Sequence, residues 1–291
     1  MLKGVQGACK YSWYWSTNGI LIRKTNMLNR KLLQILLLFI SLACTSAFAD
    51  QCEKRSSLVQ TALIELYTSE GCSSCPPADK WMSGLIPKVV SANAAVPLAF
   101  HVDYWDRLGW RDRFADPAFT TRQYANAKVS GSGFVFTPQV IVAGRNYQDW
   151  SNSGKVNADI EATNKVTPGA SILLRQQTVA AGKLVFEVRA QLRQDVKLDG
   201  AHIYVALFQN GLVSDVIRGE NSGSQLHHDY VVRSLLVSSA IDGSGKAVFR
   251  EHFAMPSDAL VNRMGVGVFV QDVKTGTVLQ ALSAPLCVVD K

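Results

Sequence analysis

Two cysteines three residues apart, in Cys72-Ser73-Ser74-Cys75, are the residues of this 291-residue chain whose type and spacing most directly specify chemistry. The spacing closes a small disulfide ring. At a helix start it also sets the first sulfur near unpaired backbone N–H groups, which favour the thiolate. Exchange needs an attacking thiolate and a resolving thiol, and this pair supplies both: Cys72, nearer the helix N-terminus, attacks and Cys75 resolves. Two other uses stand beside exchange. One is an inert structural disulfide. The other is half of a copper or zinc site with His101 as a third ligand, although a tetrahedral zinc site needs a fourth. No second C-x-x-C and no H-x-x-x-H supplies one.

The elements that must position the pair follow from the local pattern. Thr61–Tyr67 (TALIELY) is a short apolar strand that runs through Thr68-Ser69-Glu70-Gly71 into the cysteines. Pro76-Pro77 then suits a first helical turn, where no amide donor is needed, and the helix is expected to end near Val90. Pro97–Asp103 is a second buried strand. Asp116-Pro117 opens a helix to about Val129, with Asp as N-cap and Pro at the first position. Pro138–Ala143 and Arg145–Gln148 read as a hairpin around Gly144, and Lys155–Val166 as a closing helix. The order is β-α-β-α-β-β-α, an α/β layer structure. Beyond Pro168 the rhythm changes to eight short strand candidates with Gly-rich punctuation, from Ala170–Gln176 to Thr277–Ser283, which suggest a β-sandwich. Asn210-Gly211 reads as a hairpin turn among them.

Other side chains could assist the thiols. Pro138, after Thr137, begins the third strand, where proline often signals a special turn and sometimes a cis bond; taken alone the dipeptide reads as a trans proline at a strand edge, and only its place in the topology favours cis. His101, Asp103, Tyr104, Trp105, Asp106, Arg107 and Trp110 crowd the end of the second strand, the edge where ligands gather in open α/β sheets. His101 or Asp103 could accept the resolving thiol's proton; the alternative is a set of rings covering an apolar edge. Glu65 lies inside the first strand. It is either buried, and then paired or serving as a proton relay below the thiols, or exposed on an edge strand. In the second half, Glu220, Asn221, His227, His228 and Asp229 could bind a metal, contact the thiol groove, or be solvated loop residues. Adjacent strand histidines point to opposite faces, so both rarely hold one ion.

Charge and cysteine usage place the chain. The formal net charge is +7, but residues 1–49 hold six basic and no acidic residues, leaving 24 basic against 23 acidic in the remainder. So balanced a remainder gives little electrostatic pull on nucleic acid. Arg30-Lys31, the apolar run Leu32–Ala43 and Ala47-Phe48-Ala49 have the layout of a secretory signal peptide cleaved before Asp50, with Met27 the better start. An uncleaved anchor, or a lipoprotein signal ending at Cys44, are the other readings. The apolar run is shorter than the ~20 residues of a membrane span, so no stable insertion is expected after cleavage. Export to an oxidising compartment favours disulfides. With Cys72 and Cys75 neighbours, Cys52 and Cys287 remain for each other or stay as free thiols. No Gly-rich phosphate loop or nucleophile elbow is present, and no cofactor is called for.

Four segments carry a resemblance: Glu65–Asp79 (ELYTSEGCSSCPPAD), Ala99–Trp110 (AFHVDYWDRLGW), Thr137–Gly144 (TPQVIVAG) and Gly219–Arg233 (GENSGSQLHHDYVVR). They are similar to a family of bacterial secreted proteins of unknown function, and the element order with Cys72, Cys75 and Pro138 resembles the thioredoxin superfamily. The resemblance implies a fold and a periplasmic or secreted location. Ser-Ser between the cysteines and Pro-Pro after them depart from thioredoxins at large, so neither oxidant nor reductant follows. The expected architecture is a leader over 1–49, an N-terminal segment over 50–57, an α/β thioredoxin-like domain (β-α-β-α-β-β-α) over 58–167, and an all-β sandwich domain over 168–291. The expected function is thiol–disulfide exchange with protein thiols or disulfides and a redox partner. The alternatives are a non-catalytic binding module with a structural disulfide and a periplasmic copper- or zinc-handling protein.

Overall fold

The strand Ala62–Thr68 (β2) is buried on both faces, which is why it reads as an unbroken apolar run rather than an alternating one. In the computed structural model, which describes residues 51–85, 93–177, 179–196 and 200–287, β2 is preceded by β1 (Gln51–Arg55). It is followed by α1 (Pro76–Ser83), β3 (Ala95–His101), α2 (Pro117–Val129), β4 (Gln139–Val142), β5 (Arg145–Asn146) and α3 (Ser153–Thr163). The second half consists of β6 (Ala170–Gln177), β7 (Lys183–Leu192), β8 (Ala201–Gln209), β9 (Leu212–Asp215), β10 (Gln225–His228), β11 (Val231–Ala240), β12 (Lys246–Ala254), β13 (Met264–Asp272) and β14 (Val278–Pro285). The expected leader over 1–49 lies outside the described residues; the helix expected to run to about Val90 ends at Ser83, with Gly84 as its C-cap, and the segment from 86 to 92 lies outside the described residues.

The strands do not divide at residue 167. Eight of them form one mixed sheet in the order β14-β13-β8-β11-β3-β2-β4-β5, joined by a four-stranded sheet β1-β6-β7-β12 and the small ribbon β10-β9. The expectation of an α/β thioredoxin-like domain followed by an all-β sandwich domain is corrected by this topology. The molecule is mostly β-sheet, with three α-helices among the described residues, and both halves contribute to its main sheet. The physical reason lies at the edge of β3. β2 and β3 pair in parallel from Ala62↔Ala95 to Thr68↔His101, and β3 is buried throughout, so its far edge would expose unpaired backbone beside apolar side chains. β11 closes it: Val231 pairs in parallel with Ala99, whose amide donates to the Tyr230 carbonyl at 2.8 Å.

The same competition for edges explains the ribbon. β8 has β11 on one side and β13 on the other. The Asn210-Gly211 turn therefore cannot close a β8–β9 hairpin, and β9 pairs with β10 instead. β6 and β7 alternate buried and open residues, as a sheet with one face on a core must. Leu174, Phe186 and Val188 from that layer pack with Val205, Val266 and Val268 from the eight-stranded sheet, giving a sandwich layer over this part of the molecule. Helix starts follow local chemistry: the Asp116 side chain caps α2 by accepting from the Ala118 amide at 2.8 Å, and Asn152 caps α3 through the Lys155 amide at 3.2 Å. Between β4 and β5, Gly144 has φ +83°, and a Cβ there would lie 2.1 Å from the Gly276 carbonyl oxygen. Only glycine lets that turn press against the β13–β14 turn.

Candidate functional site

β2 carries the chain to Cys72, and Pro76 and Pro77 fill the first positions of α1 behind Cys75, its N-cap. Cys72 and Cys75 form a disulfide with Cα atoms 5.4 Å apart. Both cysteines are fully buried, while Ser73 and Ser74 between them are exposed. The Ser74 hydroxyl lies 3.3 Å from Cys72 Sγ and 3.4 Å from the Thr137 carbonyl oxygen. The Thr137–Pro138 bond is cis, and Thr137 Oγ1 accepts from the Trp105 indole N–H at 2.8 Å. A Cβ at Gly71 would come within 3.1 Å of Trp105 Cβ, so the glycine lets the strand end lie against that ring.

The second half reaches this loop directly. One Glu220 carboxylate oxygen accepts from the Ser73 amide at 3.1 Å and from its hydroxyl at 2.7 Å. The Asn221 amide donates to the carbonyls of Glu70 and Cys72 at 2.8 and 3.0 Å. Ser73 holds the Glu220 carboxyl below the usual range. Of the residues read as a metal site, a groove contact or solvated loop, Glu220 and Asn221 therefore contact the cysteine loop. His227 is exposed, and Asp229 accepts from the Gly211 amide.

Behind the loop lies a buried polar cluster. His101 Nδ1 and Asp112 Oδ2 are 2.7 Å apart, with both side chains fully buried. Asp112 also accepts from the amides of Glu70 and Phe114, both at 2.9 Å. The Trp110 indole donates to Glu70 Oε2 at 2.7 Å. His228 sits edge-on to His101, ring centroids 5.0 Å apart; its Nε2 is 3.5 Å from Glu70 Oε1 and its Nδ1 is 3.8 Å from Asp79 Oδ2. Both separations are too long for hydrogen bonds. Both His228 nitrogens, Glu70 Oε1 and His101 Nε2 are thus buried without a hydrogen-bond partner. Among the described residues, no group of three or more His, Cys, Asp or Glu could hold a metal ion. Here the reason is visible: Glu70 and Asp79 flank opposite nitrogens of one imidazole, so one ion cannot meet all three.

Burial alone would lower the His101 pKa, but the Asp112 carboxylate more than offsets it and holds the imidazole above its ordinary value. Burial likewise opposes the Asp112 charge, yet His101 and the accepted backbone N–H groups keep its carboxyl below the usual range. Linkage gives the pH window. The His101 contribution is full below the ordinary imidazole value and is lost as pH rises through the raised one. The Asp112 contribution is present above the ordinary carboxylate value and is lost as pH falls through the depressed one. Asp112→Asn is therefore expected to cost about 3 kcal/mol in urea unfolding at mildly acidic pH, the low end for breaking a buried pair. The gap to the parent should narrow as pH rises past the His101 titration; a gap that is constant with pH contradicts the pairing.

The other residues read as supporting the thiols are placed elsewhere. Glu65 is fully buried and ion-paired with Arg122 of α2, Oε1 to Nε at 2.6 Å. It also approaches the Tyr67 hydroxyl and the Asn126 amide at 3.3 and 3.4 Å. Asp103 accepts from the Thr120 hydroxyl at 2.5 Å. Neither has a hydrogen bond to the cysteine loop among the described residues. Glu70, Asp79 and Asp112 were missed as site residues. The available signal was that two carboxylates bracket the cysteines, one just before and one four residues after, although the fold is needed to bring Asp112 and His228 to them.

Fold and site together define a class: a mainly β protein whose mixed sheet carries a Cys-Ser-Ser-Cys disulfide at a strand-to-helix junction, over a buried histidine–carboxylate cluster. Within that class, the family model described as "Protein of unknown function (DUF1223)" matches residues 63–271, and the chain belongs to that family. Among solved structures it is similar to Protein AGR_C_4864 from Agrobacterium tumefaciens, at 23% identity and TM-score 0.57, over 81% of this chain and 98% of that one. It is also similar to HBP35 of Porphyromonas gingivalis, at 14% identity and TM-score 0.60, over 79% of this chain and 76% of that one. At these identities the likeness is one of fold. No curated protein matches the chain.

Proposed function

We propose that the protein is exported, to the periplasm or beyond, and performs thiol–disulfide exchange at Cys72–Cys75 with protein thiols or disulfides, recharged by a redox partner. The observation that carries this reading is the placement of the Ser74 hydroxyl, 3.3 Å from Cys72 Sγ, beside a disulfide that immediately precedes the N-terminus of α1. A hydroxyl and the positive end of a helix dipole favour sulfur as a thiolate, the form that attacks and leaves in exchange. The leader pattern of residues 1–49 and the Cys52–Cys287 disulfide support export, because such bonds persist in oxidising compartments.

One observation favours a second reading, a binding module with a permanent disulfide: both cysteines are buried, and Glu220 and Asn221 hold their loop. An equilibrium redox titration of the protein from Asp50, read by alkylation and mass spectrometry, separates the two. Exchange predicts a potential between about −270 and −120 mV, whereas a structural bond stays oxidised below about −300 mV. Cys72→Ser is expected to abolish exchange completely; retained turnover in that variant would sink the assignment.

A further inference from the structure

Resting on the exchange reading, we propose that Asp79 is the proton-transfer residue for Cys75, that His228 faces its carboxyl, and that the cleft between α1 and β10 connects it to solvent. Cys75 has helical backbone angles at the N-cap of α1, and the Asp79 amide donates to the Cys75 carbonyl at 3.1 Å. Residues i and i+4 share a helix face, and helical side chains lean toward the N-terminus. The Asp79 carboxyl therefore lies on the Cys75 side of α1. Cys75 is fully buried, so a thiolate released there needs an internal proton source. Asp79 also lines an open cleft of about 450 Å³, together with Lys80 and Ser83 of α1 and Leu226 and His227 beside them.

The step balances. A partner thiolate attacks Cys72 Sγ, forming a partner–Cys72 disulfide, and the Cys72–Cys75 bond breaks with its electron pair left on Cys75. The Asp79 carboxylic acid gives its proton to that thiolate, and the carboxylate regains one from water in the cleft. The partner's second thiol then attacks the mixed disulfide and leaves oxidised. Cys72 departs with the second electron pair and, itself buried, takes its proton through the exposed Ser74 hydroxyl, 3.3 Å from its sulfur. The reverse sequence oxidises the pair. Burial pushes the Asp79 carboxyl up, opposed by His228 and His101, so the acid form persists to higher pH than that of an exposed aspartate. The groups facing Asp79 are Thr68 at the end of β2, His101 on β3, Asp112 before α2 and His228 on β10. Lys80 adjoins it in sequence, and His227 and Asp229 border the same cleft.

The test is the rate of Cys72–Cys75 reduction by dithiothreitol as a function of pH, normalised to the reductant's thiolate. In the parent the normalised rate should fall as Asp79 loses its proton. Asp79→Asn should be about 100-fold slower at low pH, the low end for a positioned general acid, and should lack that fall. Asp79→Glu should restore a pH-dependent profile. His228→Gln removes the imidazole that opposes the upward push of burial on Asp79 and should move the fall to higher pH; it also serves if Asp79→Asn fails to fold. A parent pair that dithiothreitol cannot reduce overturns the exchange reading itself. A parent pair that is reduced normally, with variants that keep the parent profile, overturns only the role of Asp79.

Discussion

Replacing Arg122 by methionine lowers the unfolding free energy by about 3–5 kcal/mol, because Glu65 then stays buried in the middle of β2 without its countercharge. Arg122 is committed on every side. Its Nε meets Glu65 at 2.6 Å, its Nη2 donates to Gln271 Oε1 of β13 at 2.9 Å, and its guanidinium lies 4.7 and 4.8 Å from the ring centroids of Tyr204 and Phe269. Burial opposes the Arg122 charge, but Glu65 beside it holds the guanidinium still more firmly protonated. The side chain thus ties α2 and β2 of the first half to β8 and β13 of the second. Urea unfolding of the single variant and of the double variant Glu65→Leu with Arg122→Met measures this. The double variant should recover most of the loss, since a buried pair replaced by apolar residues of similar volume is often neutral. A single-variant loss below about 1 kcal/mol would be that of an exposed pair and would contradict the burial.

Removing the Cys52–Cys287 bond with Cys52→Ser and Cys287→Ser is expected to cost about 5.5 kcal/mol by the chain-entropy argument, which grows with loop length. The bond spans 235 residues, close to the full length of the described chain, and it ties β1 to the segment after β14. β1 holds only the edge of its sheet, through pairing with β6 from Gln51↔Gln177 to Arg55↔Leu173, so its first residues should lose hydrogen-exchange protection before any other strand. Chemical denaturation of the double variant under non-reducing conditions, which leave Cys72–Cys75 intact, gives the number. A loss below about 2 kcal/mol would show that the unfolded chain is not confined by this link.

Local elements were legible in the sequence where one short-range rule governs them. TALIELY reads as a buried strand and is Ala62–Thr68; Asp116-Pro117 reads as a helix start and caps α2. The way the halves join was not legible, because it depends on which open edge meets which strand. Nothing local in Val231 announces that it will lie beside Ala99. For the same reason Asn210-Gly211, a good turn, misled about pairing, and β1 and β10 were missed as strands. The site divides in the same manner. The cysteines, Pro138 and the polar-aromatic run announce themselves by type and spacing. Glu70, Asp79 and Asp112 are three ordinary acidic residues until the fold buries them around His101 and His228. Glu65 was legible as an anomaly, but its partner Arg122 lies 57 residues away on another element.

The parallel junction of β3 with β11 also bears on how the molecule comes into being. A ribosome releases Ala99 well over a hundred residues before Val231, its partner. Throughout that interval β3 has an apolar, hydrogen-bond-hungry flank with nothing native to occupy it, and such flanks recruit whatever strand is nearest. The main sheet can close only when nearly the whole polypeptide is available at once. Maturation is therefore a late, concerted event, and a chain held extended until its last strands have arrived is spared the hazard.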